Sequence, residues 1–179
     1  MVKIAVFVGS LRRESVNKSL AKNVERLSPE DVEFDYIDMD LPLYNQDLDG
    51  DLPSSVTEMK RKVEAADGVL FVTPEYNRSF SGVMKNAIDW ASRPWGENSF
   101  SGKPAAIVGA SMGALGTTQA QQALRNVALF LDMRLMGQPE LYFNAVTGLD
   151  ENGKVVEGSE DFLRRFAEAF AKHVENNGQ

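Results

Sequence analysis

Three apolar runs without polar alternation constrain this chain most: Ile4-Ala5-Val6-Phe7-Val8, Val69-Leu70-Phe71-Val72 and Ala105-Ala106-Ile107-Val108. A strand with one solvated face alternates apolar and polar residues, so unbroken runs of this length read as strands covered on both faces by helices. The first run ends at Gly9, the second at Thr73-Pro74 and the third at Gly109. Two further segments read as edge strands. In one, Val32, Phe34 and Tyr36 alternate with Glu33 and Asp35; the other, residues 137–143, is interrupted by Pro139.

Helical patterns lie between the strands. Apolar residues three or four apart share one helix face, as in Leu20, Val24 and Leu27, in Val56, Met59, Val63 and Ala66, and in Val83, Ala87 and Trp90. Ala120, Ala123, Leu124, Val127 and Leu131 form a fourth set, and Phe162, Leu163, Phe166 and Phe170 a fifth. Ser55 with Glu58 reads as a capping box, and Ser159 before Glu160 and Asp161 as a second helix start. Residues 47–53 and 148–158 read as exposed loops.

Strands alternating with helices predict an α/β, doubly wound, five-stranded parallel sheet with helices on both faces. Edge character in the second and fifth strands favours the flavodoxin-like order 2-1-3-4-5. A chain of 179 residues with 43% hydrophobic content fits one such domain across residues 1–179. In this topology ligands sit beyond the carboxyl ends of the central strands, so the loops after Val8, Val72 and Val108 become the candidate site.

Composition narrows the chemistry. The chain has no cysteine and one histidine, His173, near its C-terminus. Thiolate nucleophiles and cysteine-ligated metals are therefore excluded, a Ser-His-Asp triad is disfavoured, no metal site is expected, and any catalysis belongs to a bound cofactor. A net charge of −7 argues against binding nucleic acid through its phosphates. The first apolar run is too short for a signal segment or a membrane span, so the expectation is a cytoplasmic protein without membrane insertion.

The first loop, Gly9-Ser10-Leu11-Arg12-Arg13-Glu14-Ser15-Val16-Asn17, runs into a helix start, where free amides and the dipole attract an anion. Ser10, Ser15 and Asn17 supply short polar groups and Arg12 a guanidinium suited to phosphate. It is neither a Walker loop nor a G-x-G-x-x-G turn, because Glu14 and Leu11 stand where glycines are needed. The plainer alternative is that Ser15 or Asn17 caps the helix and the arginines are solvated.

In the second loop, Thr73-Pro74-Glu75-Tyr76-Asn77-Arg78, backbone groups and the Tyr76 face could border a flat heteroaromatic ring. Alternatively Asn77 turns the chain and Tyr76 covers the core. The third loop, from Gly109 through Ser111, Met112, Gly113 and Gly116 to Thr117, is glycine-rich, which allows close backbone approach to a ligand or simply a turn capped by Thr117. Three ligand-ready loops at the ends of three central strands point to a planar phosphorylated ligand.

At these residues the chain resembles the NADPH-dependent FMN reductase family, in particular its quinone and chromate reductase branch. The matching elements are Gly9-Ser10-Leu11-Arg12 with Ser15 and Asn17, then Pro74-Glu75-Tyr76-Asn77, then Gly109-Ala110-Ser111-Met112-Gly113 leading to Gly116-Thr117. The resemblance implies FMN as cofactor, with Ser10, Arg12, Ser15, Val16 and Asn17 at its phosphate. Pro74, Glu75, Tyr76 and Asn77 would border the ring, largely through backbone, and Ser111 and Gly113 its other side. It further implies a ping-pong oxidoreductase taking hydride from NADPH or NADH and passing electrons to quinones or other small acceptors, such as chromate, azo compounds or free flavin. No side chain is then catalytic in its own right, because the hydride chemistry belongs to the flavin.

Arg78 is the candidate for meeting anionic NAD(P)H or an anionic acceptor, or else a solvated charge. The family is usually a homodimer or homotetramer. Trp90, Trp95, Phe100, Leu141, Tyr142 and Phe143 supply area for such contacts or for the core. The rival reading is a flavodoxin-type electron carrier without its own NAD(P)H site.

Overall fold

A computed structural model of the chain describes residues 1–178. Its single sheet holds β1 (Val2–Val8), β2 (Val32–Tyr36), β3 (Gly68–Val72) and β4 (Pro104–Ser111), followed by two short strands, β5 (Arg134–Leu135) and β6 (Leu141–Asn144). The order is β2-β1-β3-β4-β5, with β6 also paired to β4, and every pairing is parallel. This is the expected flavodoxin-like order.

The fifth position departs from expectation in one respect. Residues 136–140 leave the sheet between β5 and β6, so the edge strand is split in two. Pro139 lies in that gap, where its missing amide donor removes no ladder bond.

Alternation along each buried strand sends side chains to two separate cores. On one side Ile4, Val6, Val8, Leu70 and Val72 pack against α1 (Val16–Leu27) and α6 (Glu157–Asn177). On the other, Ala5, Phe7, Val69 and Phe71 pack against α2 (Ser54–Ala65), α3 (Gly82–Ala91) and α4 (Thr118–Phe130). The rings of Phe7, Phe71 and Phe100 lie 5.3–5.9 Å apart in tilted geometry. Fully burying such a ring contributes about 2–3 kcal/mol, so this cluster is a main anchor of the second core.

Trp90 and Phe100 are fully buried and Leu141 and Phe143 nearly so, which assigns them to the core; Trp95 and Tyr142 remain on the surface. Trp90 is covered by residues 41–52, its indole N–H donating to Pro42 O at 2.7 Å and its ring meeting Tyr44 edge-on.

Both expected cap assignments shift. Helix α2 begins at Ser54, with Pro53 as its N-cap residue, whose carbonyl accepts from Val56 N and Thr57 N. Glu58 pairs with Arg61 at 2.6 Å instead of closing a capping box with Ser55. Helix α6 begins at Glu157, two residues before Ser159, with Glu157 and Glu160 in the favourable first turn. Residues 148–158 are also more ordered than a plain loop: α5 (Ala145–Gly148) ends there, Leu149 bridges Val155, and the buried Asn23 amide holds Gly153 O and Val155 N. Among the described residues no helix is long and apolar enough to cross a membrane.

Candidate functional site

The carboxyl ends of β1, β3 and β4 carry the three loops singled out above, and the fold brings them around one cleft of about 200 Å3. Ser10, Arg12, Ser15, Val16 and Asn17 line one part, Pro74, Glu75 and Tyr76 a second, and Ala110, Ser111 and Met112 a third. Nine of the eleven expected cofactor residues therefore share it; Asn77 and Gly113, along with Arg78, do not line it. Ala110 and Met112 were not expected to. Ala110 and Met112 were marked only as members of the third loop, between Gly109 and Gly113. A larger cavity, about 400 Å3 beside Trp95 and Phe130, lies at the far ends of α3 and α4, away from these loops.

The first loop ends in the N-cap of α1. Ser15 has extended backbone geometry and its Oγ accepts from Lys18 N at a long 3.4 Å. The amides of Val16 and Asn17, at the first helical positions, have no partner within the helix. Ser10 and Ser15 are buried at the base, whereas Arg12 is exposed and makes no ion pair among the described residues. This is the geometry of an anion site: a helix N-terminus, two hydroxyls and an uncommitted guanidinium.

Asn17 does something the sequence did not disclose. Its side chain is 2% exposed and turned to β4, donating to Ala110 O at 2.9 Å and accepting from Ala110 N at 2.8 Å. One lone pair of its carbonyl and one amide hydrogen are thereby committed to β4.

The second loop starts with Thr73, fully buried, whose Oγ1 donates to Pro74 O at 2.8 Å. It then closes on itself: Tyr76 N donates to Ser79 O and Ser79 N to Tyr76 O, both at 3.0 Å. Asn77 and Arg78, at the tip, have φ of 53° and 61°, the two left-handed positions of a type I′ turn. Tyr76 is half exposed at the cleft rim, so it does not cover the core. The Glu75 carboxylate points across to α4, where Oε2 accepts from Gln119 N at 2.9 Å and Ala120 N at 3.1 Å.

In the third loop the glycines have different tasks from those expected. A Cβ on Gly109 would collide with Thr73 O and Thr117 Oγ1, so this glycine lets β4 pack against the neighbouring loop and helix. Gly116 has φ of 61° and sits against the Tyr142 backbone. Of the three, only Gly113 is uncrowded, a Cβ there meeting no more than Ser111 Oγ at ordinary contact distance, and the Ser111 hydroxyl accepts from its amide at 3.1 Å. Thr117 precedes α4 without capping it, because its Oγ1 accepts from the Gln121 side-chain amide at 3.0 Å. Leu11, Tyr76, Met112 and Leu115 are exposed on these loops, and Tyr76 and Met112 also line the cleft.

A helix N-terminus with free amides, two buried hydroxyls and an exposed guanidinium, beside the exposed Tyr76 and Met112 at the topological switch, suit a phosphorylated planar ligand. Comparison with known proteins agrees. The family described as NADPH-dependent FMN reductase matches residues 2–148. A 2-hydroxy-1,4-benzoquinone reductase of Burkholderia sp is 51% identical over 176 residues, covering 97% of this chain and 96% of that protein. A quinone reductase of Pseudomonas putida is 42% identical over 177 residues, covering 97% and 95%. Among solved structures, FerB, a flavoenzyme NAD(P)H:(acceptor) oxidoreductase from Paracoccus denitrificans, superposes over 100% of both chains with a TM-score of 0.94 at 43% identity. The matched span contains all three loops of the cleft and the identities run nearly end to end, so this chain belongs to the NADPH-dependent FMN reductase family.

Proposed function

We propose that this chain is an FMN-dependent oxidoreductase that takes hydride from NAD(P)H and reduces quinones, in two half-reactions at one cleft. The observation that carries this reading is the convergence of residues 10–17, 74–76 and 110–112 on that cleft. The free amides of Val16 and Asn17, with the Ser10 and Ser15 hydroxyls and Arg12, fit a terminal phosphate; residues 74–76 and 110–112 fit the two sides of a flavin ring. When bound, the flavin supplies the hydride acceptor and the electron store. The protein's residues hold it: Arg12 and the α1 N-terminus neutralise the phosphate, and Tyr76, Met112 and Leu115 give incoming rings an apolar surface while excluding water. No side-chain nucleophile takes part.

Quinones are the acceptor class because proteins 51% and 42% identical over nearly their full length are named quinone reductases. Arg78, exposed at the turn beside the ring side of the cleft, meets the phosphates of the nicotinamide donor. Exposed Trp95, Leu129 and Phe130 form the surface for a homodimer or homotetramer, and the cytoplasm is the compartment that supplies NAD(P)H.

The test is anaerobic stopped-flow of FMN-loaded protein, first with NADPH or NADH and then with a benzoquinone, following flavin absorbance. Fast bleaching and fast recovery are expected. Tightly held FMN that no pyridine nucleotide bleaches would replace this reading with the electron carrier.

A further inference from the structure

Helix α4 starts beside the cleft without a cap of its own. Its N-cap residue, Thr117, commits its hydroxyl to Gln121, and no side chain within the helix or its approach takes the first amides. Glu75, 44 residues away on the ring side of the cleft, supplies the missing acceptor, with one carboxylate oxygen accepting from both Gln119 and Ala120. A carboxylate on a helix N-terminus is held by two charge-assisted bonds and by the helix dipole together, so this link is among the stronger that one side chain can form.

The link joins two walls of the cleft. Glu75 is flanked by Pro74 and Tyr76, and α4 is the anchor of the loop that carries Ser111 and Met112. The third wall is tied independently, through Asn17 and Ala110. Electrostatically, the positive end of α4 stands at the rim of the site but is covered by the Glu75 charge.

We infer that the Glu75 carboxylate is a positioning group, the flavin being bordered at this residue by backbone: the carboxylate braces the two ring-side walls through α4 and neutralises that helix end next to the flavin. The inference rests on the FMN reading of the cleft for its consequences, while the brace itself belongs to the protein alone. Glutamine at 75 keeps an oxygen that can accept both amides but removes the charge; alanine removes both. Glu75→Gln therefore holds FMN within about threefold of the parent protein, yet leaves the α4 end without its compensating negative charge. The negative charge that reduction places on the flavin is then better stabilised, and the reduction potential rises. Glu75→Ala loosens the walls, and FMN affinity falls at least tenfold.

The experiment combines three readouts on parent, Glu75→Gln and Glu75→Ala proteins: amide hydrogen exchange at Gln119 and Ala120 without flavin, FMN affinity by fluorescence quenching, and the flavin reduction potential. Expected are fast exchange only in Glu75→Ala, the tenfold loss only in Glu75→Ala, and a raised potential in Glu75→Gln. Parent-like exchange in Glu75→Ala overturns the brace. Equal loss of FMN in both variants makes the carboxylate a direct ligand and overturns the assignment, as does an unchanged or lowered potential in Glu75→Gln. Should the parent bind no FMN, the functional reading fails on its own, and the exchange measurement still decides the brace.

Discussion

Asn17 and Ala110, 93 residues apart in the chain, exchange two hydrogen bonds of 2.9 and 2.8 Å in a buried setting. The amide side chain of α1 copies the bonding of a neighbouring strand and fixes the helix start to the end of β4. Removing it leaves both polar groups of Ala110 without their partners, at a cost of about 1–3 kcal/mol for a buried group. We expect Asn17→Ala to lose about 2–4 kcal/mol in urea unfolding. Asn17→Asp, which keeps the acceptor but places a carboxylate against Ala110 O, should lose at least as much at neutral pH. Parent-like midpoints for both would show that these bonds contribute nothing.

The anion end of the cleft makes a separate prediction. Arg12 is exposed and without an ion pair among the described residues, and Ser15 Oγ holds Lys18 N only at 3.4 Å, so neither group does much for stability. If they meet the FMN phosphate as proposed, each contributes a bond of roughly 1–3 kcal/mol. Arg12→Ala combined with Ser15→Ala should weaken FMN binding by several kcal/mol in sum while the melting temperature of the flavin-free protein falls only slightly. Titration calorimetry with FMN, set against riboflavin, isolates the phosphate: riboflavin affinity should be nearly unaffected.

At Arg78 backbone strain coincides with a proposed donor-binding role. Its φ of 61° places a β-carbon where glycine is preferred. Relief of that strain, about 1–2 kcal/mol, is partly offset by the greater freedom of glycine in the unfolded chain. Arg78→Gly should therefore gain about 0.5–1 kcal/mol in denaturant. If Arg78 meets the donor's phosphates as proposed, the same variant raises KM for NADPH several-fold with little change in the rate of quinone reduction. A stabilised variant with parent KM would leave Arg78 as an ordinary surface charge.

The strands and their order were legible because burial on both faces writes itself as unbroken apolar runs, and the loops followed from strand order. That order brought the loops holding residues 10–17, 74–76 and 111 together without knowing a single contact, while the roles of residues such as Val16, Pro74 and Ser111 came from the family resemblance. What escaped were the bonds that cross between segments. Nothing local to Glu75 marks it as the cap of a helix beginning at Thr118, and nothing local to Asn17 separates a ligand donor from a bridge to Ala110. The caps at Ser55 and Ser159 failed for the opposite reason: local patterns were present, but Pro53 and Val156 had already begun those helices. Trp90 read equally as surface or core because its cover, residues 41–52, has no regular periodicity to announce it.

Acid stability should depend on Asp35. On the edge strand β2 it bonds Lys62 of α2 at 2.6 Å and pairs with Lys3 of β1 at 3.3 Å. Partial burial pushes its pKa up, but the hydrogen bonds and charges of Lys62 and Lys3 outweigh this and hold the carboxyl below its ordinary value. A lowered native pKa means the unfolded chain binds the proton more readily. The stabilisation is thus present above about pH 4 and is lost as pH falls through the native value. Asp35→Asn should be less stable than the parent at pH 7, and the difference should shrink on acidification. A constant gap from pH 7 to pH 2 would assign the effect to shape rather than charge.

Lys60 tests how the far end of α3 is held. Its side chain is nearly buried, and Nζ donates to Ala91 O at 3.1 Å, Arg93 O at 2.8 Å and Glu97 O at 2.8 Å. The ammonium thus satisfies the last carbonyls of a helix and the loop that follows, a task that needs three donors on one atom. Methionine at 60 would fill the space with no donor, leaving three carbonyls to find water or stay unpaired. We expect Lys60→Met to lose about 3 kcal/mol, and the loop bearing Trp95 to become accessible to protease at native temperature. Because this loop lies at the opposite end of the sheet from residues 10–17, FMN affinity of the folded fraction should be unchanged. A parallel loss of FMN binding would mean that the two ends of the sheet are coupled.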